Sequence, residues 1–118
     1  MKAREDIAIF IAAQEGVDKS YIDWVQFGLE EESIPYERMD VQEEDPKALA
    51  DLAQKKSRLG IGIGVNQAGF SCLSSSDFKE GDVLFLDQRD QEKQFRNLGV
   101  NGARLLKGSP FKLEGGFN

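Results

Sequence analysis

Three consecutive carboxylates, Glu30-Glu31-Glu32, stand where a predicted helix runs out ahead of Pro35. There they face the negative end of the helix macrodipole, which disfavours each exposed carboxylate by roughly 0.3–1 kcal/mol. Nothing close by in sequence offsets them. A solvated acidic helix end is one reading. The sharper one is that a cation or donor from outside the chain meets one of the three. A hard ion such as Mg2+ takes oxygen ligands and often only one or two carboxylates.

The second run is Arg96-Asn97-Leu98-Gly99-Val100-Asn101-Gly102-Ala103-Arg104-Leu105-Leu106-Lys107-Gly108-Ser109-Pro110-Phe111. On a helix, Gly99 and Gly102 each lose up to about 1 kcal/mol of propensity relative to alanine. A helix tolerates this where something approaches its backbone. Asn97 and Asn101 are four apart and Arg96 and Arg104 eight apart, so each pair shares a side. The run reads either as a helix packed tightly on a sheet with solvated Arg and Asn, or as a donor-rich docking face.

Other chemistries are thinner. Gly60-Ile61-Gly62-Ile63-Gly64-Val65 misses the dinucleotide-binding spacing, because Val65 or Gln67 stands where the third glycine belongs. It reads instead as a strand with a flat glycine face against which a helix packs. Asp87 and Asp90 follow a short apolar strand, Val83–Leu86, and Asp40 ends a short alternating one. Carboxylates at strand ends can carry function, but helix capping is the preferred reading of Asp87 or Asp90. The chain has no histidine and one cysteine. That excludes Ser-His-Asp and Cys-His nucleophiles and His-ligated zinc. Cys72, flanked by Gly69-Phe70-Ser71 and Leu73, reads as a buried small apolar group in a reducing compartment.

The elements that must position these residues follow from periodicity. Asp6 to Ala12 is apolar and β-branched, as in a strand buried on both faces. Ser20-Tyr21-Ile22-Asp23 has capping-box spacing and predicts a helix opening there and ending near Ser33. Tyr36–Asp40 is a short edge strand. Asp45-Pro46 starts a second helix with the stripe Leu49, Leu52 and Ala53, stopped by Gly60. Leu59–Val65 is a strand, and Gly69–Leu73 a short strand or loop. A last helix carries Phe95, Leu98, Gly102, Leu105 and Leu106 on one side. The alternation predicts one α/β domain over residues 1–118. It would be a three-layer sandwich with a mostly parallel central sheet, Rossmann-like or flavodoxin-like.

Composition bounds the role. The 118 residues carry a net charge of −6, with Lys and Arg scattered, so neither nucleic acid nor an anionic membrane is an expected partner. No apolar run approaches the roughly 20 residues of a membrane span. The stretch from Ile7 to Ala13 is too short and too quickly acidic for a signal peptide.

The run from Arg96 to Phe111 resembles the C-terminal signature of the small subunit of diol and glycerol dehydratase reactivating factors. Phe27-Gly28-Leu29-Glu30-Glu31-Glu32-Ser33-Ile34-Pro35-Tyr36 resembles a second segment of that family. Together they cover about a quarter of the chain. Val100 and Gly102 vary the first pattern, and Ser33 stands where glycine is common. The resemblance implies a non-catalytic, chaperone-like subunit that looks like the medium subunit of a cobalamin-dependent dehydratase. Its partner would be a large ATPase subunit of the actin and heat-shock-protein type, which holds ATP or ADP. Exchange of that partner between the small subunit and the dehydratase lets damaged cobalamin leave the enzyme. The resemblance further implies that Glu31 contributes to a Mg2+ site shared with the large subunit. Glu30, Glu32, Arg96, Asn97, Asn101, Arg104 and Lys107 would lie at the partner contact. No cofactor is expected on the isolated chain, which would be cytoplasmic, with association with a bacterial microcompartment as an option. A hetero-oligomer is expected, with a homo-oligomer as the isolated form.

Two rivals stand beside this. A dehydratase medium-subunit relative is disfavoured on length, because those subunits extend past the Lys-Gly-x-Pro region and this chain stops at Asn118. A small α/β enzyme or phosphoacceptor would use Asp40, Asp87 or Asp90.

Overall fold

The computed structural model describes residues 7–76 and 91–108. In chain order these form β1 (Ile9–Gln14), α1 (Lys19–Glu31), β2 (Tyr36–Val41), α2 (Pro46–Lys56), β3 (Ile61–Val65), β4 (Ser71–Ser75) and α3 (Gln91–Lys107). The expected strand Val83–Leu86, with Asp87 and Asp90, lies outside the described residues.

The sheet order is β2-β1-β3-β4. β1 pairs in parallel with both β2 and β3, and β4 runs antiparallel to β3. A β1 strand between β2 and β3 is the opening of a flavodoxin-type sheet. The antiparallel β4 departs from it, because a short turn through Gly69 (φ 89°) joins β3 to β4 where a parallel partner needs a long crossover.

Residues on alternate sides of β1 divide the core. Ile9, Ile11 and Ala13 pack with Ile61, Ile63, Val65 and Leu73 under α1 and α3. Ala8, Phe10 and Ala12 pack with Leu49 and Ala53 of α2. The three layers expected from the sequence are therefore present. Gly62 and Gly64 open the second face. A Cβ on Gly64 would lie 2.5 Å from the Pro46 carbonyl oxygen and the Ala50 nitrogen, and one on Gly62 would overlap α2 at Ala50 and Gln54. The helix thus rests on bare strand backbone, the role read for these glycines.

Several local expectations shift. α1 is capped by Asp18, whose carboxylate accepts from the Ser20 N–H at 2.8 Å, and not by Ser20. Asp23 is drawn instead to Lys19 at 2.9 Å. Asp45 caps α2 and Pro46 opens it, as expected, but the helix ends at Lys56, before Gly60. Ala50 takes the inward position assigned to Leu52, which is 41% exposed, because α2 seats its 46–50–53 side on the glycine face of β3. Ser57 ties the end of α2 to the first strand, its hydroxyl donating to the Ala8 carbonyl at 2.5 Å.

Candidate functional site

The acidic trio sits on a tightly built helix end. Beyond Glu31 the chain turns through Ser33 at φ 60°. The Ser33 N–H donates to the Glu30 carbonyl at 3.0 Å, and the Ile34 N–H to the Leu29 carbonyl at 3.1 Å. That double bond pattern is a Schellman motif, with Ile34 folded onto the core that contains Leu29. The carboxylates are therefore fixed to a rigid stub.

Each carboxylate then meets something different. The Tyr36 hydroxyl, at the start of β2, donates to Glu30. This bond, with partial burial and the nearby negative charge, pushes the Tyr36 pKa up to about 12. Lys107 donates to the Glu32 carboxylate at 3.1 Å and to the Glu32 carbonyl at 3.0 Å. Among the described residues Glu31 has only a looser neighbour, Arg96, whose Nε lies 3.5 Å from Glu31 Oε2. Arg96 Nη2 lies 3.7 Å from Glu92 Oε2, one turn back on α3. Nε is buried and makes no hydrogen bond.

The chain thus supplies compensating charge of its own, closely at Glu32 and more loosely at Glu31. Arg96 and Lys107 are distant in sequence but are brought to the end of α1 by the pairing of α1 with α3. The glycines explain that pairing. A Cβ on Gly99 would overlap the Val25 carbonyl and come within 3.1 Å of the Gly28 Cα, and one on Gly28 would overlap the Arg96 carbonyl. Sequence reading found Gly99 but assigned no role to Gly28. A helical glycine on the buried face of α1 was the available signal. The aromatic rings of Tyr21 and Phe95 stack at 4.7 Å to close the same interface at its other end.

The expected docking face of α3 splits in two. Arg96, Arg104 and Lys107 reach the surface, and Arg104 makes no ion pair among the described residues. Asn97 and Asn101 are 3% and 0% exposed and have partners within the chain. The spacing was right about a shared side, but that side faces inward. Leu106 is 37% exposed, so it leaves the expected apolar stripe, while Leu105 packs on the core.

Elsewhere, the crevice between the C-terminal ends of β1 and β3 is bridged. Gln67 N–H donates to Gln14 Oε1 at 2.8 Å, the Gln67 side-chain amide donates to the Glu15 carbonyl, and Asn66 Nδ2 donates to the Glu44 carbonyl at 2.9 Å. Doubly wound sheets bind ligands at this position, and here side-chain amides span it. Asp40 lies on exposed β2 and pairs with Arg38 at 2.9 Å. Burial pushes the Cys72 thiol up to about 12, so it sits as an inert thiol, as expected. Among the described residues no group of three or more His, Cys, Asp or Glu could enclose a metal. A single ligand such as Glu31, with a side chain 48% exposed, fits only a site completed by another molecule. No helix among the described residues is long and apolar enough to cross a membrane.

The sequence profile of the family described as dehydratase medium subunit matches residues 7–112. The chain belongs to the dehydratase medium-subunit family. Two relatives from Citrobacter freundii place this family member beside reactivating-factor small subunits. A probable glycerol dehydratase-reactivating factor small subunit is 34% identical over 92 residues, covering 76% of this chain and 79% of the relative. A propanediol dehydratase-reactivating factor small subunit is 31% identical over 105 residues, covering 89% and 90%. Among solved structures, a glycerol dehydratase reactivase superposes with TM-score 0.80 at 26% identity. A diol dehydratase-reactivating factor complexed with ADP and Mg2+ superposes with TM-score 0.78 at 30% identity. In both cases 89% of this chain and 96% of the other is covered. The family read from the two sequence runs is thereby shown, as is its α/β fold.

Proposed function

We propose that this medium-subunit family member is the non-catalytic small subunit of a reactivating factor for a cobalamin-dependent diol or glycerol dehydratase. It docks on a large ATPase subunit of the actin and heat-shock-protein type through the end of α1 and the neighbouring surface of α3. The observation that carries the reading is the state of Glu31. Of the three clustered carboxylates, it alone has no hydrogen bond among the described residues, and it stands half exposed on a rigid helix end. Glu30, Glu32, Arg96, Arg104 and Lys107 form the polar surround. Asn97 and Asn101 act from inside, by fixing α3.

Glu31 would be this chain's ligand to a shared Mg2+, the other oxygen ligands coming from the large subunit. When bound, the ion would supply a charge bridge between two acidic surfaces that otherwise repel. ATP or ADP belongs to the large subunit and cobalamin to the client enzyme. The relative solved with ADP and Mg2+ supports this division. Membership in one family with dehydratase medium subunits supports exchange by likeness. The large subunit releases this chain and takes the enzyme's own medium subunit, which loosens the enzyme for cofactor release. The system is cytoplasmic and can be housed in a bacterial microcompartment, and the isolated chain can self-associate.

The test is co-purification with the large subunit across a Mg2+ series. Glu31→Gln should remove the Mg2+ dependence of assembly while leaving the isolated chain folded. Assembly that responds to Mg2+ as before would remove the metal role. ATP hydrolysis by the isolated chain would contradict the reading altogether.

A further inference from the structure

We propose that Arg96 is an internal counterion that competes with a divalent cation for Glu31, and that Glu92 sets how readily Arg96 gives Glu31 up. The inference rests on the reading of Glu31 as a metal ligand. The guanidinium stands between carboxylates of two helices, 3.5 Å from Glu31 on α1 and 3.7 Å from Glu92 on α3. Neither contact is a hydrogen bond, and the buried Nε has no hydrogen-bond partner. The neighbouring pairs differ. Lys107 holds Glu32 by two bonds of 3.0 and 3.1 Å, and Tyr36 holds Glu30 through its hydroxyl.

Charge alone therefore holds Glu31, through a partly exposed pair of the kind that contributes little to stability. A divalent ion and a guanidinium drawn to the same carboxylate repel each other, so an ion arriving at Glu31 weakens its hold on Arg96. Arg96 then has somewhere to go. Glu92 lies four residues back on the same helix, in the spacing that pairs side chains along one face. The displaced guanidinium keeps one carboxylate and does not become an unpaired charge. In the free subunit the pair quiets the acidic end. In the complex the ion takes Arg96's place.

The experiment measures association of the full chain with its large subunit as MgCl2 is raised, and reads the half-saturating concentration. Arg96→Gln should lower it by about two- to fivefold, the range an exposed ion pair can produce. Glu92→Gln should raise it by a similar factor, because Arg96 is then left to Glu31. Arg96→Lys, which keeps the charge, should stay near the wild type and separates charge from lost packing. Circular dichroism confirms that each variant is folded, and if Arg96→Gln is not, the opposed shift of Glu92→Gln decides. Shifts in one direction for both variants, or none, overturn the counterion role. Glu31→Gln separates the two ideas. If it abolishes the Mg2+ response while Arg96→Gln and Glu92→Gln leave the midpoint unmoved, only the competition fails. If it leaves the response intact, the metal reading fails with it.

Discussion

Gly99 and Gly102 lie three residues apart on α3, and the structure assigns them opposite responses to alanine. Helix propensity alone predicts that either substitution stabilises by about 1 kcal/mol. At Gly102 the new methyl would meet the ends of Ile63, Ile9 and Leu73 at 3.4, 3.6 and 3.7 Å. These are ordinary contacts with side chains that can adjust, so the propensity gain of about 0.5–1 kcal/mol should survive. At Gly99 the methyl would overlap the Val25 carbonyl and lie 2.9 Å from the Leu29 nitrogen. Both atoms are backbone of α1, so relief requires moving the whole helix. Overpacking of that kind costs about 1–3 kcal/mol or more, enough to reverse the propensity gain. The propensity gain is common to both, so the two variants should differ by the overpacking cost, roughly 1–3 kcal/mol. At about 4 °C per kcal/mol for a domain of this size, their melting temperatures should lie roughly 4–12 °C apart. Urea unfolding followed by circular dichroism should show shifted midpoints at an unchanged slope. A Gly99→Ala protein as stable as Gly102→Ala would mean that α1 and α3 do not meet backbone to backbone.

Two further predictions come from the same region. Ser33 holds a left-handed conformation that disfavours residues with a Cβ by about 1–2 kcal/mol, so Ser33→Gly should stabilise the fold by about 0.5–1 kcal/mol, measurable in the same urea assay. The Tyr36 pKa is raised from 10.0 to about 12 in the folded chain. Its contribution is thus fully present below pH 10 and is lost as pH rises through about 12. Tyr36→Phe should lower stability near neutral pH and flatten the decline between those limits. A variant with the wild-type alkaline profile would show that the bond to Glu30 contributes nothing.

What the sequence made legible was local. Asp45-Pro46 announced α2 because both residues act on their own first turn. The alternation from Ile61 to Val65 announced the glycine face because period two is a property of one strand. Ser20 misled because its spacing to Asp23 mimics a capping box, while Asp18 caps the helix two residues earlier by accepting from the Ser20 N–H itself. The acidic trio was visible, but its partners were not. Arg96 and Lys107 come to it through a helix pairing some seventy residues apart in sequence, and that pairing depends on Gly28, whose role only a facing helix reveals. The burial of Asn97 and Asn101 was hidden for the same reason. Periodicity finds a shared side without saying whether water or protein lies against it.

The amide clasp of Gln14 and Gln67 has a consequence for how this architecture can change. Related sheets keep a hollow at that seam, and small molecules have colonised it many times. Here the protein's own glutamines tie the two sides of that seam together, so a small molecule entering it would have to displace their bonds. The exposed charges at the ends of α1 and α3 stand apart from this clasp, so substitutions there leave the seam of the sheet untouched.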